Sequence, residues 1–364
     1  ERIGCAVFSA NFPLYADMSR RVMAALAERT PSLEIYSIDE AFLDLAGLPD
    51  PLGHCRELAH LVERWTGIPV AIGLGPSKVL AKVAGRLAKK QPRWGGVKEL
   101  APGAELDAVL AELPLEDLWG VAGRLAKRLR RAGILTAAQL RDADDRWITR
   151  KLGVVGQRMV YELRGRSCLP IEDQPRAKQG ICTSRSFGRP LETRDELAEA
   201  VAEFASRAAE KLREDGSAAG VVTVFIMTGH FARGPKYYNS AARVLPVPSS
   251  LTPELIAAAL DGLRRIYKPG FPYKKAGVLL SHIRPAAALQ RSLFDPLGEP
   301  SEPEANPRRR TEKLMGALDR INDAFGSDTV HYAATGTRRV WDMNQRHCSH
   351  RFTTSWSELP TARA

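Results

Sequence analysis

Two carboxylates stand side by side at Asp39 and Glu40, between the β-rich runs Leu33–Ile38 and Ala41–Leu45. Only these two residues separate the runs, so the pattern predicts a hairpin with an acidic tip, although the usual turn glycine is missing. Two full negative charges about 4 Å apart repel by roughly 4 kcal/mol at intermediate dielectric. Divalent cations relieve that repulsion, and oxygen-only ligands suit magnesium. A pair of such ions clamps the attacking and leaving oxygens of a phosphoryl transfer. For an isolated Asp-Glu pair, plain turn chemistry is the commoner explanation. The surrounding residues have to decide.

Charge is the second signal. The chain carries 53 Lys and Arg against 42 Asp and Glu, a formal net charge of +11. Seven basic residues and no acid lie between Lys78 and Lys98: Lys78, Lys82, Arg86, Lys89, Lys90, Arg93 and Lys98. Six more, again without an acid, lie between Leu118 and Arg141: Arg124, Lys127, Arg128, Arg130, Arg131 and Arg141. These two stripes outnumber the net charge of the whole chain, so the remainder is close to neutral. Localised basic stripes predict a polyanion held at defined places. The competing reading is two solvated helix faces.

The elements that must position these groups follow from periodicity. Apolar residues at Met18, Val22 and Leu26 predict a helix over 16–29. A second helix is expected from Gly53 to Trp65, then a strand at Ile68–Gly73, and Pro76 opens the basic helix in its first turn. This β-β-α-β-α order predicts an antiparallel or mixed sheet with helices on one face. Leu113 to Asp145 reads as short helices joined at glycines. Strands near 181–187, 221–228 and 276–281, with helices over 194–213 and 253–267, predict a second α+β unit. Pro296, Pro300, Pro303 and Pro307 mark an extended linker, followed by a helix over 311–325 and a polar tail. The fold class is therefore α+β multidomain, as 364 residues also require. No apolar run reaches membrane-spanning length. Cys5, Cys55, Cys168, Cys182 and Cys348 are odd in number and never form CxxC, which argues against a disulfide framework and for a reducing compartment.

The string Ser37-Ile38-Asp39-Glu40-Ala41-Phe42-Leu43-Asp44-Leu45 resembles the second metal-binding motif of the Y-family translesion DNA polymerases. The likeness extends through Tyr15-Ala16-Asp17-Met18-Ser19, Gly73-Leu74-Gly75-Pro76-Ser77-Lys78, Ser184-Arg185-Ser186-Phe187-Gly188 and Tyr237-Tyr238-Asn239-Ser240, and the chain is most similar to the UmuC branch. The resemblance implies a palm over 1–97 and a helix-hairpin-helix thumb over 98–175. It implies an α+β little finger over 176–285, a clamp-binding peptide and linker over 286–310, and a C-terminal UmuC-type region over 311–364. Asp39 would bridge two Mg2+ ions and Glu40 would hold the catalytic one, with Asp44 structural. Lys89 would contact the incoming triphosphate, and Lys78, Lys82 and Arg185 would contact DNA. The implied activity is error-prone, template-directed addition of dNTPs opposite damaged DNA during the SOS response. The implied partners are primer–template DNA, the sliding clamp, a UmuD-type accessory subunit and a recombinase filament. No membrane is involved, and the expected location is the bacterial cytoplasm at the nucleoid.

The family also needs an aspartate on the first palm strand, an aromatic steric gate and a fingers region. Nothing before Cys5-Ala6-Val7-Phe8 supplies them, so the chain reads as N-terminally truncated. A non-catalytic DNA-binding or scaffold relative, or a truncated form left inactive by the absent first aspartate, is the rival reading. A helix-hairpin-helix repair nuclease fits the basic thumb but not the second α+β unit.

Three shorter motifs complete the reading. Trp119-Gly120-Val121-Ala122-Gly123-Arg124, followed by Lys127, Arg128 and Arg131, resembles a helix-hairpin-helix that offers backbone N–H groups to a DNA phosphate. Gln290-Arg291-Ser292-Leu293-Phe294 resembles a sliding-clamp peptide, with Gln290 and Ser292 as polar anchors and Leu293 and Phe294 filling an apolar pocket. His347, Cys348 and His350 are dense, yet no fourth ligand lies at zinc-site spacing.

Overall fold

The computed structural model describes residues 4–174, 177–231, 234–288, 307–337, 339, 341–343, 345 and 347–361. They form two compact units, one of residues 10–174 with 348–361 and one of the described residues in 177–347 with 4–9. Among them no helix is long and apolar enough to cross a membrane.

In the first unit, helices α1 (Phe12–Ala27) and α2 (Pro51–Thr66) bury Met23, Leu26, Leu58 and Val62 against Leu33, Ala41 and Leu43. The Asp50 side chain caps α2 by accepting from Gly53 N, and Gly67 ends it in the left-handed region. On the buried side of α2, burial pushes the Cys55 thiol up to about 11, which leaves it an inert packing group. Strands β1 (Leu33–Ile35) and β2 (Ala41–Leu43) pair antiparallel with Leu33 opposite Leu43. The tip is wider than the two residues expected. Tyr36 N and Ser37 N both donate to the Glu40 carbonyl at 3.0 Å, so the ladder stops at Ile35 and residues 36–40 form the turn.

Strand β3 (Ile72–Leu74) pairs parallel with β4 (Val97–Glu99), and helix α3 (Lys78–Lys90) crosses between them. The expected single sheet is thus two separate two-stranded ladders, one antiparallel and one parallel. Gly73 explains how α3 lies so close: a Cβ there would sit 2.0 Å from the Gly85 backbone nitrogen. The apolar side of α3 (Val79, Leu80, Val83, Ala84) enters a core that continues through α4 (Ala104–Glu112), α5 (Gly123–Arg131), α6 (Ala137–Arg141) and α7 (Asp145–Leu163).

The second unit is one antiparallel sheet in the order β5–β8–β6–β7, with β5 (Gly180–Leu191), β6 (Ser217–Thr228), β7 (Tyr238–Ser249) and β8 (Tyr273–Pro285). Helices α8 (Arg194–Glu214) and α9 (Thr252–Ile266) bury Leu197, Phe204, Leu212, Leu255 and Leu263 against it. Sequence periodicity misses β7. It is an edge strand with Pro246 and Pro248 and only half-buried inward residues, so its hydrophobic alternation is faint. Helix α10 (Pro307–Phe325) packs on α8, where Arg213 Nε and Nη2 each donate to the Asp319 carboxylate at 2.7 Å. The polar tail expected after α10 is only partly polar. Trp341 is buried in the sheet-and-helix core between Phe187 and Phe204.

Candidate nucleotide and nucleic-acid site

The acidic pair sits on the hairpin turn of the first unit. Ser37 Oγ donates to Asp39 Oδ1 at 2.6 Å, and Asp39 is exposed. Glu40 points toward α3 and pairs with Lys82. Three aromatic rings brace the turn: Tyr36, Phe42 and Trp119, with centroids 5.6–5.7 Å apart. Asp44 caps its own turn by accepting from Ala46 N at 2.9 Å, a structural task.

Helix α3 carries a stripe of cations at Lys78, Lys82, Arg86 and Lys89, one turn apart. Three of them are already engaged. Lys78 pairs with Glu34 of β1, Lys82 with Glu40, and Arg86 with Asp117. Lys89 is exposed and, like Lys90, has no acidic partner among the described residues. It lies about 10 Å beyond Lys82 along the helix. The hairpin and α3 therefore place two carboxylates and the unengaged ammoniums of Lys89 and Lys90 on one unit. No group of three or more His, Cys, Asp or Glu side chains that could hold a metal ion occurs among the described residues.

Two of the expected DNA contacts have partners within the chain. Lys78 is buried at 8% exposure, its ammonium shared by Glu34, the Pro170 carbonyl and the Phe42 ring, so it cannot meet a phosphate. Arg185 is exposed and pairs with Asp342 at 3.4 Å. In the basic thumb stripe the outcome is mixed. Arg124, Lys127 and Arg131 are exposed without an acidic partner among the described residues. Arg128 donates to the Lys151 carbonyl. Arg130 pairs with Glu116 and holds that carboxyl below its usual range.

The glycine turn before α5 forms as its spacing requires. Gly120 is left-handed at φ 89°, Val121 N donates to the Leu118 carbonyl at 3.0 Å, and Gly123 is the first helical residue. Ala122 is the N-cap and has no side-chain cap bond, so the first N–H groups of α5 are left to solvent or a ligand. A second turn of the same kind escaped the sequence reading. Gly153-Val154-Val155-Gly156 repeats the Gly120-Val121-Ala122-Gly123 spacing, Gly153 is left-handed at φ 69°, and α7 resumes after it. Val154 and Val155 are exposed there. The repeated Gly-Val-x-Gly was the available signal. Gln290, Ser292, Leu293 and Phe294 lie outside the described residues.

Comparison with known proteins identifies this arrangement. The impB/mucB/samB family matches residues 3–86 and its C-terminal domain matches residues 178–293. A domain of unknown function matches residues 312–362. Protein ImpB of Salmonella typhimurium is 40% identical over 98% of this chain and 84% of its own. Protein UmuC of Salmonella typhimurium strain LT2 is also 40% identical, with the same coverage. Protein MucB of Escherichia coli is 38% identical over 100% of this chain and 84% of its own. Among solved structures, a Y-family DNA polymerase chimera of Dbh and Dpo4 matches at TM-score 0.58 and 22% identity, over 75% of this chain and 77% of that one, a likeness of fold. The chain belongs to the impB/mucB/samB family, the UmuC branch of the Y-family DNA polymerases, enzymes of error-prone translesion synthesis in the SOS response.

Proposed function

We propose that this chain carries the metal and nucleotide groups of that polymerase on the hairpin and α3. Residues 1–97 act as palm, 98–175 as thumb and 176–285 as little finger. The supporting observation is the meeting of Asp39 and Glu40 with a helix whose Lys82 reaches Glu40 while Lys89 stays unengaged. Two exposed carboxylates are hard oxygen donors and fit Mg2+, with substrate phosphates and water completing the shell. Two Mg2+ ions, when bound, lower the charge on the triphosphate and activate the primer 3′-oxygen.

The remaining work falls to the side chains. Asp39 would hold both ions and Glu40 the catalytic one, its carboxylate then giving up its pairing with Lys82. Lys89 neutralises the triphosphate as negative charge builds on the leaving pyrophosphate. Arg124, Lys127 and Arg131, with the α5 N–H groups freed by the Gly120 turn, hold the duplex backbone without reading its sequence. The second unit holds DNA through its sheet, and Gln290, Ser292, Leu293 and Phe294 dock on the sliding clamp. A UmuD-type subunit and a recombinase filament complete the assembly, on bacterial nucleoid DNA.

Primer extension tests this directly. In a chain that also carries an aspartate-bearing first palm strand and a fingers region, Asp39→Ala and Glu40→Gln should each abolish dNTP addition while leaving primer–template affinity within about twofold. Parallel loss of binding would mean that the hairpin is structural. DNA binding without extension by that longer chain would favour the non-catalytic DNA-binding form. Replacing Gln290, Leu293 and Phe294 together by Ala should abolish clamp binding without lowering folding stability.

A further inference from the structure

The acidic hairpin is tied to the rest of its unit by two buried ionic groups that the chemistry above does not use. The first is Lys78. Its ammonium pairs with Glu34 on β1 and donates to the Pro170 carbonyl at 2.8 Å, in the segment that leaves α7. It also lies 5.0 Å from the centroid of the Phe42 ring on β2. Glu34 Oε2 accepts a further bond from Glu172 N at 2.7 Å. The second is Glu162, fully buried near the end of α7. Its Oε2 accepts from Val79 N at 3.2 Å, and its Oε1 accepts from Cys168 N at 2.5 Å and Leu169 N at 3.1 Å. Ser77 Oγ donates to the Glu162 carbonyl at 2.7 Å. The first turn of α3, the β1–β2 hairpin and residues 168–172 are therefore bound to one another through two residues.

A buried ion pair is a poor source of stability. Well-packed apolar replacements of both partners are often neutral or better, whereas loss of one partner leaves an uncompensated charge. What such a pair does well is fix register, because charge-assisted bonds tolerate little displacement. Lys78 bonds both strands' neighbours at once: Glu34 beside the hairpin turn, Pro170 beyond α7, and its own helix. One turn further along that helix, Lys82 reaches Glu40.

We propose that Lys78 is a positioning residue: paired with Glu34 and the Pro170 carbonyl, it sets the register between the Asp39–Glu40 turn and the cations of α3, and holds the segment leaving α7 against the hairpin. Its bearing on metal binding rests on the functional reading above. Its bearing on hairpin geometry does not.

The test compares Lys78→Met with the double variant Glu34→Gln/Lys78→Met. Four quantities are read in the full chain: melting temperature, hydrogen exchange at residues 33–43, binding of Mn2+ alone by electron paramagnetic resonance, and affinity for primer–template. Lys78→Met should speed hairpin exchange about tenfold and weaken Mn2+ binding several-fold, with DNA affinity within about twofold because the side chain is buried. The double variant leaves no orphan charge, so its melting temperature should return to within about 2 °C of the unaltered chain, while the exchange and Mn2+ defects persist. Recovery of all three in the double variant would make the pair a stability element only. Unchanged hairpin exchange, a matching fall in DNA affinity, or unfolding of both variants would each overturn the proposal. If instead Asp39→Ala leaves Mn2+ binding intact, the metal reading fails, and hairpin exchange still decides the role of Lys78.

Discussion

Lys82 on α3 pairs with Glu40 on the hairpin turn, and the same ammonium lies 5.9 Å from the centroid of the Tyr36 ring. The pair is half open to solvent, 24% and 43% exposed at its two side chains. An ion pair of that exposure contributes about 0.2–1 kcal/mol, too little to keep a divalent ion from the carboxylate. On the proposed function, Lys82 would serve as the counterion of Glu40 in the metal-free chain.

The first prediction follows from that competition. Lys82→Met should raise the affinity of the chain for Mn2+ by up to about fivefold, the factor that corresponds to about 1 kcal/mol. Asp39→Ala should lower it. A Mn2+ titration that shows no gain for Lys82→Met would mean that ammonium and metal do not compete for Glu40.

The second prediction concerns the thumb stripe. Arg124, Lys127 and Arg131 are unengaged, whereas Arg130 is spent on Glu116. Replacing the first three by Ala should weaken binding to all DNA sequences about equally and reduce the slope of log affinity against log salt by roughly 2–3. Arg130→Ala should change the slope by much less. Equal effects of Arg130 and Arg131 would show that the ion pair breaks on binding DNA.

These outcomes separate what the sequence held from what it hid. The hairpin and its carboxylates are legible because local pattern and turn chemistry suffice to place them. The fate of the basic residues is not. Counting charges between Lys78 and Lys98 cannot foresee that Glu34, Glu40 and Asp117 return from other elements to engage Lys78, Lys82 and Arg86. Arg185 and Asp342 meet across 157 positions for the same reason. The turn at Gly153 was hidden by its own apolar residues, since Val154-Val155 continues an apolar pattern across the kink at Gly153. Trp341 reads as one aromatic residue in a polar tail, and only the packed core of the second unit shows its place.

That core yields the third prediction. Trp341 touches Phe187 and Phe204 with centroids 6.4 and 5.4 Å away, and its backbone carbonyl accepts from Gly188 N at 3.2 Å. Trp341→Ala should destabilise the second unit by about 3–5 kcal/mol, seen as a lower denaturant midpoint. The proposed metal ligands Asp39 and Glu40 belong to the other unit, so Mn2+ affinity should hold. A loss below about 1 kcal/mol would mean that the tail docks too weakly to belong to the core.

The fourth prediction is a pH dependence. Helix α8 starts with a capping box in which Glu196 N donates to Thr193 Oγ1 at 3.3 Å, while the Glu196 carboxylate accepts from Thr193 N at 3.3 Å and Thr193 Oγ1 at 2.9 Å. Arg189 pairs with the same carboxylate, and chiefly through that bond the group is held at about 2 against an ordinary value of 4.5. The folded value lies below the unfolded one, so the charged form favours folding. Its contribution is complete above pH 4.5 and is lost as the pH falls toward 2. At neutral pH, Glu196→Gln should therefore melt at a lower temperature than the unaltered chain. As the solution is acidified through that window the two melting temperatures should converge, because both side chains are then uncharged. Calorimetry of the two proteins from pH 7 downward measures the gap. A gap that stays constant to the acid end would show that Glu196 acts through its shape and not its charge, and that Arg189 has little hold on it.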